Sequence, residues 1–139
     1  MSEAWARPVV AIASLEPRYP EVPPYHPSER YPEYGARPLS GEPNPVYAAV
    51  RRLFRDLGYD RDRFDTPGWN PLGGLVRKGD RVFIKPNLVT HEFRKSCGRN
   101  GDLFSVITHP SVVRAVADYV AIALEDTGEI VIGDNPSID

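Results

Sequence analysis

Residues that suit an anionic ligand are concentrated in the second half of the sequence. Three basic residues lie close together in one loop, although the chain is slightly acidic overall, with 17 Lys and Arg against 19 Asp and Glu. Ammonium and guanidinium groups, helped by neutral hydrogen-bond donors, are the groups that bind phosphate and carboxylate. The sequence therefore predicts a ligand-binding set made of Lys85, Asn87, Arg94, Lys95, Arg99 and Thr108. A structural interpretation stays open, in which Lys85 covers a strand end and the basic cluster is a solvated loop.

Two further residues are candidates for catalysis. His109 has a side chain whose ordinary pKa suits proton transfer near neutrality, and Asp134 would orient a partner group or a metal. The alternative for Asp134 is that it caps a turn. Cys97 lies between two cations, which would favour its thiolate, yet an ordinary loop cysteine is the preferred interpretation. A metal site made of His91, Cys97 and His109 matches no strong ligand spacing.

Strands and helices must bring these residues together. Hydrophobic periodicity and turn residues predict a strand at 9–13, a helix at 45–57, a strand at 81–85, a helix at 110–126 and a strand at 129–132. The last three elements form a parallel βαβ unit with a right-handed crossover. Ligands bind outside the carboxyl ends of such strands, where Lys85, His109 and Asp134 would meet. No glycine-rich nucleotide loop is present.

The apolar pattern also predicts what is buried. Val82, Phe83 and Ile84 form a continuous apolar run, typical of a parallel strand covered by helices on both faces. The predicted helices 45–57 and 110–126 are the candidates to cover them. Arginines at positions 51, 52 and 55 fall mostly on the polar face of the first helix, and a solvated surface is a better interpretation of them than a phosphate-binding stripe.

Composition divides the chain into three parts. Ten of the 15 prolines precede residue 46, so residues 17–45 are predicted to form a Pro/Tyr-rich extended arm. Residues 1–16 hold the first strand, and residues 46–139 form the N-terminal portion of the α/β domain. The arm either lies on the domain with its tyrosines as anchors or serves as a proline-motif ligand for another protein.

Charge, cysteine count and hydropathy exclude several classes. The net charge of −2 argues against a nucleic-acid protein that works by bulk positive charge. A single cysteine rules out an internal disulfide and an intrinsic iron–sulfur cluster. No targeting or membrane-spanning stretch is visible, which predicts a cytoplasmic protein without a membrane partner.

Three ordered motifs resemble those of an uncharacterised family, domain of unknown function 362. They are GDRVFIKPNLV at 79–89, THPSVVRAV at 108–116 and IVIGDNP at 130–136. The resemblance implies that the matching positions Lys85, Asn87, Thr108, His109, Pro110, Gly133 and Asp134 form the family's site. Some members carry ferredoxin-type cluster motifs, which hints at redox chemistry, but the cysteine motif is missing here. Relatives also continue well beyond the third motif.

Two hypotheses follow. In the first, the chain is an incomplete Rossmann-like α/β domain with a Pro-rich arm, which binds a small anionic substrate or an unidentified cofactor and is part of a redox enzyme. A partner protein would carry the missing C-terminal half. In the second, it is a non-catalytic interaction module that binds another chain through the arm and the open edge of its sheet.

Overall fold

A short parallel sheet and two helices form the regular part of the structure. The computed structural model describes residues 9–16, 18–89 and 103–135. Helix α1 (Pro45–Asp56) is followed by strand β1 (Arg81–Ile84), helix α2 (Pro110–Ala123) and strand β2 (Glu129–Ile132), with short 3-10 helices at Pro32–Tyr34, Arg61–Arg63 and Leu103–Ser105. β1 and β2 pair in parallel, with Arg81 opposite Glu129 and Ile84 opposite Ile132. The predicted α/β class is confirmed.

Helix α1 begins and ends where the sequence signals place it. The side-chain oxygen of Asn44 accepts from the backbone N–H of Tyr47, and Pro45 occupies the first turn. The helix ends at Asp56, before Gly58, whose φ of 82° lies in the left-handed region.

Helix α2 stops earlier than the predicted residue 126. Glu125 and Asp126 both have positive φ, so the chain leaves the helix in a left-handed turn after Ala123. Gly128 then brings the chain against the turn that precedes β1, where a Cβ would lie 2.3 Å from the carbonyl oxygen of Asp80. Only glycine fits this approach, which sets the start of β2 beside β1.

The helices do not cover both faces of the sheet. Helix α1 packs on α2, and α2 packs on the strands. Val82, Ile84 and Ile130 face the core, whereas Phe83 is 61% exposed. The predictions that Phe83 is buried and that the two helices lie on opposite faces of the sheet are therefore wrong, because strand residues alternate between faces and only one face is covered by described residues.

The predicted strand at 9–13 is also wrong. These residues have no regular secondary structure, and Val9, Val10 and Ile12 are exposed. The sheet of the described residues contains β1 and β2 alone. A short apolar run needs a neighbouring strand to satisfy its backbone groups, and none of the described elements pairs with residues 9–13.

The Pro/Tyr-rich arm supplies part of the core. Tyr34 is 1% exposed and packs edge-on against Tyr47 of α1, while Tyr31 stacks on the same ring. Trp69 and Tyr119 complete an aromatic centre. These contacts correspond to the interpretation in which tyrosines anchor the arm.

One arginine of α1 is buried under the arm. The guanidinium of Arg51 donates to the Glu33 carboxylate at 2.6 Å and 3.1 Å and to Asp65 at 2.9 Å, and it lies 4.4 Å from the Phe64 ring centroid. The hydroxyl of Tyr119 donates to the same Glu33 carboxylate. The prediction of a solvated arginine face is wrong for Arg51, because a buried carboxylate from the arm lies opposite it.

Candidate functional site at the carboxyl edge of the sheet

Lys85 and Asp134 form an ion pair where the two parallel strands end. Each residue follows its strand closely, so the strand pairing itself brings them together. The Asp134 side chain is only 3% exposed, whereas that of Lys85 is 64% exposed. The buried carboxylate therefore fixes one side of the ammonium group and leaves its other side open to solvent.

Backbone donors hold the Asp134 carboxylate in place. The N–H of Leu88 donates to Oδ2 at 2.6 Å, and the N–H of Asn135 donates to Oδ1 at 2.8 Å. The hydrogen bond from Lys85, followed by these two backbone donors, lowers the pKa of Asp134 to about 2. Asp134 is therefore ionised at neutral pH and suited to orienting a cation rather than to transferring a proton.

Asn87 and Thr108 join the end of β1 to the start of α2. The N–H of Thr108 donates to the Asn87 carbonyl at 2.8 Å, and the N–H of Asn87 donates to the Thr108 hydroxyl at 2.9 Å. The Asn87 side-chain amide donates to the carbonyl of Val106. In this structure both residues shape the edge through hydrogen bonds within the chain.

His109 caps helix α2 from a buried position. Its Nδ1 accepts from the backbone N–H of Ser111 at 3.1 Å, and the residue is 4% exposed. Its ring stacks on Tyr19 with centroids 4.2 Å apart and meets Phe104 edge-on at 4.2 Å. With Nδ1 used in capping, proton transfer by His109 would have to use Nε2.

The first turn of α2 has internal acceptors for its backbone donors. Pro110 has no N–H, the N–H of Ser111 is taken by His109 Nδ1, and the N–H of Val112 donates to the His109 carbonyl. The start of α2 therefore has few backbone donors left for a ligand, and the donors available at this edge are mainly those of side chains.

Several candidates lie outside the described residues, namely His91, Arg94, Lys95, Cys97 and Arg99. The basic cluster and the alternative metal site thus stay predictions. Among residues 9–16, 18–89 and 103–135, no group of three or more His, Cys, Asp or Glu side chains is placed to hold a metal ion.

Sequence reasoning missed a polar cluster that fastens the arm to α2. Arg114 donates to Asp118 at 2.9 Å and to Nδ1 of His26 at 2.9 Å, and the Tyr34 hydroxyl also lies 3.1 Å from that nitrogen. His26, on the arm, is half-buried. Burial, followed by the charge of Arg114, lowers its pKa. The four-residue spacing of Arg114 and Asp118 is the one signal in the sequence.

Fold and site together define a small α/β protein with a charged pair at the carboxyl edge of a parallel βαβ unit. No family model and no solved structure matches the chain. It is similar to "Thylakoid-associated protein sll1697" of Synechocystis sp., with 33% identity over 102 residues. The match covers 73% of this chain and 24% of that protein, so the chain spans about a quarter of its relative's length. None of the described helices is long and apolar enough to cross a membrane.

Proposed function

We propose that the carboxyl edge of the sheet binds a small anionic ligand, a phosphate or a carboxylate, through Lys85. The observation that carries this proposal is the ion pair of Lys85 with Asp134. The Asp134 side chain is 3% exposed, whereas the Lys85 side chain is 64% exposed. A lysine ammonium has three N–H donors, so a tether to one carboxylate leaves capacity for a ligand oxygen. Arg94, Lys95 and Arg99 would add positive charge from the adjoining loop.

The resemblance to domain of unknown function 362 supports the same edge. Its three motifs hold Lys85, the Thr108–His109 pair and Asp134, and these are the residues that the βαβ unit places at or next to the carboxyl ends. Our proposal includes membership of that family, a cytoplasmic location and a partner protein chain. The proposal extends to redox chemistry, which the cluster motifs of some family members suggest. In that reaction His109 would be the acid/base group.

Titration of the 139-residue chain with inorganic phosphate and with malonate, followed by NMR, tests the proposal. Replacing Lys85 by Met removes a charge-assisted contact, so we expect the dissociation constant to rise about tenfold or more. Lys78→Met is the matched control, because Lys78 is also 64% exposed and also pairs with a carboxylate, that of Glu125, but precedes β1. Equal affinities of the two variants, or no saturable binding by the parent, would refute the proposal.

Asp134→Asn tests whether the Asp134 carboxylate positions the Lys85 ammonium or only competes with the ligand for it. This change makes the edge more positive but removes the tether of Lys85, so a fall in phosphate affinity indicates that the tether positions the ammonium group. A rise in affinity shows that Asp134 only competes with the ligand.

A second candidate function is supported by the outer face of the sheet. Phe83 lies on this face, opposite Val131 in the strand register, and is 61% exposed. Its ring lies 3.5 Å from the position that a Cβ of Gly133 would take. Parallel sheets are ordinarily covered on both faces, so a face that the described residues leave open at Phe83 favours contact with another chain. If another chain binds there, Phe83→Ser abolishes co-purification of that chain, whereas Leu75→Ser, at a residue that is 70% exposed, has no effect.

A further inference from the structure

A cavity of about 590 Å³ lies between the arm and the N-terminal end of α1. Its apolar lining includes Tyr19, Val22, Pro43 and Ala48. Small-molecule sites in proteins have volumes of roughly 300–1,000 Å³ and mostly apolar walls. The cavity therefore has the size and part of the surface that a small organic ligand needs.

The charges around this cavity are mostly negative. Its lining contains four carboxylates, those of Glu16, Glu21, Glu29 and Glu42, against the single guanidinium of Arg18, which leaves it three charges negative. In the described part of the chain, Glu16, Glu21 and Glu42 belong to none of the ion pairs. The positive end of α1 contributes about half an elementary charge, which does not offset this excess.

Buried hydrogen bonds within the chain hold one wall of the cavity in place. Asn44, which is 2% exposed, donates from its side-chain amide to the carbonyls of Tyr25 and His26 at 2.9 Å and 3.0 Å. Its backbone N–H donates to the hydroxyl of Ser28 at 3.1 Å. The arm is thereby tied to the start of α1, so a ligand would enter a site that is already formed, at a low cost in conformational entropy.

We propose that this cavity binds a small organic cation of the alkylamine class. The ammonium group would face the carboxylates, and the alkyl chain would lie against Val22, Pro43 and Ala48. Tyr19 adds an aromatic wall that is 40% exposed, and ammonium groups are attracted to aromatic rings. This site is separate from the carboxyl edge and selects the opposite charge, although Tyr19 also stacks on His109 of that region.

NMR titration of the 139-residue chain with cadaverine tests the inference, and pentanediol of the same chain length serves as the uncharged control probe. We expect saturable shifts at Tyr19 and Ala48 with the diamine and none with the diol. Because exposed charge pairs are individually weak, the double variant Glu21→Gln/Glu42→Gln should weaken diamine binding about tenfold. The variant Asp62→Asn/Glu125→Gln removes the same charge from exposed positions outside the cavity and should bind like the parent.

Three results would overturn the inference: linear, non-saturating shifts; equal loss of affinity in both double variants, which indicates general charge attraction; or equal binding of the diol. Phosphate binding at Lys85 is measured separately, and its loss in Lys85→Met leaves diamine binding unchanged. Absence of phosphate binding at Lys85 therefore does not refute diamine binding in the cavity, and the reverse also holds.

Discussion

Replacement of Arg51 by Met should destabilise the protein strongly. The change removes the cation that pairs with the Glu33 carboxylate, whose side chain is 1% exposed, and leaves that charge buried. Removing one partner of a buried pair costs about 3–5 kcal/mol of the free energy of unfolding. The Tyr119 hydroxyl still donates to Glu33 at 2.9 Å, so we expect a value near the lower limit, about 3 kcal/mol. The free energy of unfolding of a native protein is about 5–15 kcal/mol, so this loss is a large fraction of the total stability.

Urea unfolding followed by circular dichroism measures the loss, and Arg55→Met is the matched control. Arg55 lies one turn further along α1, and its guanidinium is 5.5 Å from the same Phe64 ring, but its side chain is 42% exposed and pairs with the neighbouring Asp56. Exposed pairs contribute about 0–1 kcal/mol, so Arg55→Met should change stability little.

A double variant separates the buried charge from the lost packing. Arg51→Met together with Glu33→Met leaves no unpaired buried carboxylate, since Asp65 is 65% exposed, and should be more stable than Arg51→Met alone. The reasoning is refuted if Arg51→Met costs no more than Arg55→Met, or if the second substitution destabilises the protein further.

Two other perturbations have clear expected outcomes. The pKa of His26 is lowered below 6.5 in the folded protein, so the folded state binds fewer protons and its stability should decrease as the pH falls from about 6.5; His26→Asn should abolish this part of the pH dependence in urea midpoints. Gly128→Ala should cost about 1–3 kcal/mol, because φ is +78° and the new Cβ would lie 2.3 Å from the Asp80 carbonyl oxygen. Gly41→Ala, with no atom within 4 Å of its Cβ position, should melt like the parent.

Local signals were sufficient for the start of α1 and for the order of the elements from α1 to β2. Asn44 and Pro45 mark the start of α1, and the order of strand, helix and strand predicts the parallel pairing that brings Lys85 and Asp134 together. These features depend on residues that are neighbours in the sequence or on a general topological rule, so they can be predicted from one sequence.

Features that depend on distant partners were not predictable. The burial of Arg51 requires Glu33, which lies 18 positions away in a proline-rich segment without periodicity. The stacking of the His109 ring depends on Tyr19, which lies far away in the sequence, in the arm. Polarity alone places an arginine at the surface, and only the fold shows which arginines have a buried counter-charge.

The contact between the arm and α2 has a consequence for the time at which the protein can fold during synthesis. The Glu33 carboxylate and the Tyr119 hydroxyl are 86 residues apart in the chain, yet they bond inside the core. While a ribosome is still translating α2, the arm lacks the residues of α2 that it contacts in the folded protein. The Glu33 carboxylate, next to Tyr34, then has no hydrogen bond from Tyr119. The core therefore cannot close until α2 has emerged from the ribosome, and long-range closure of this kind is slow. Nascent chains stalled before Tyr119 should remain sensitive to protease.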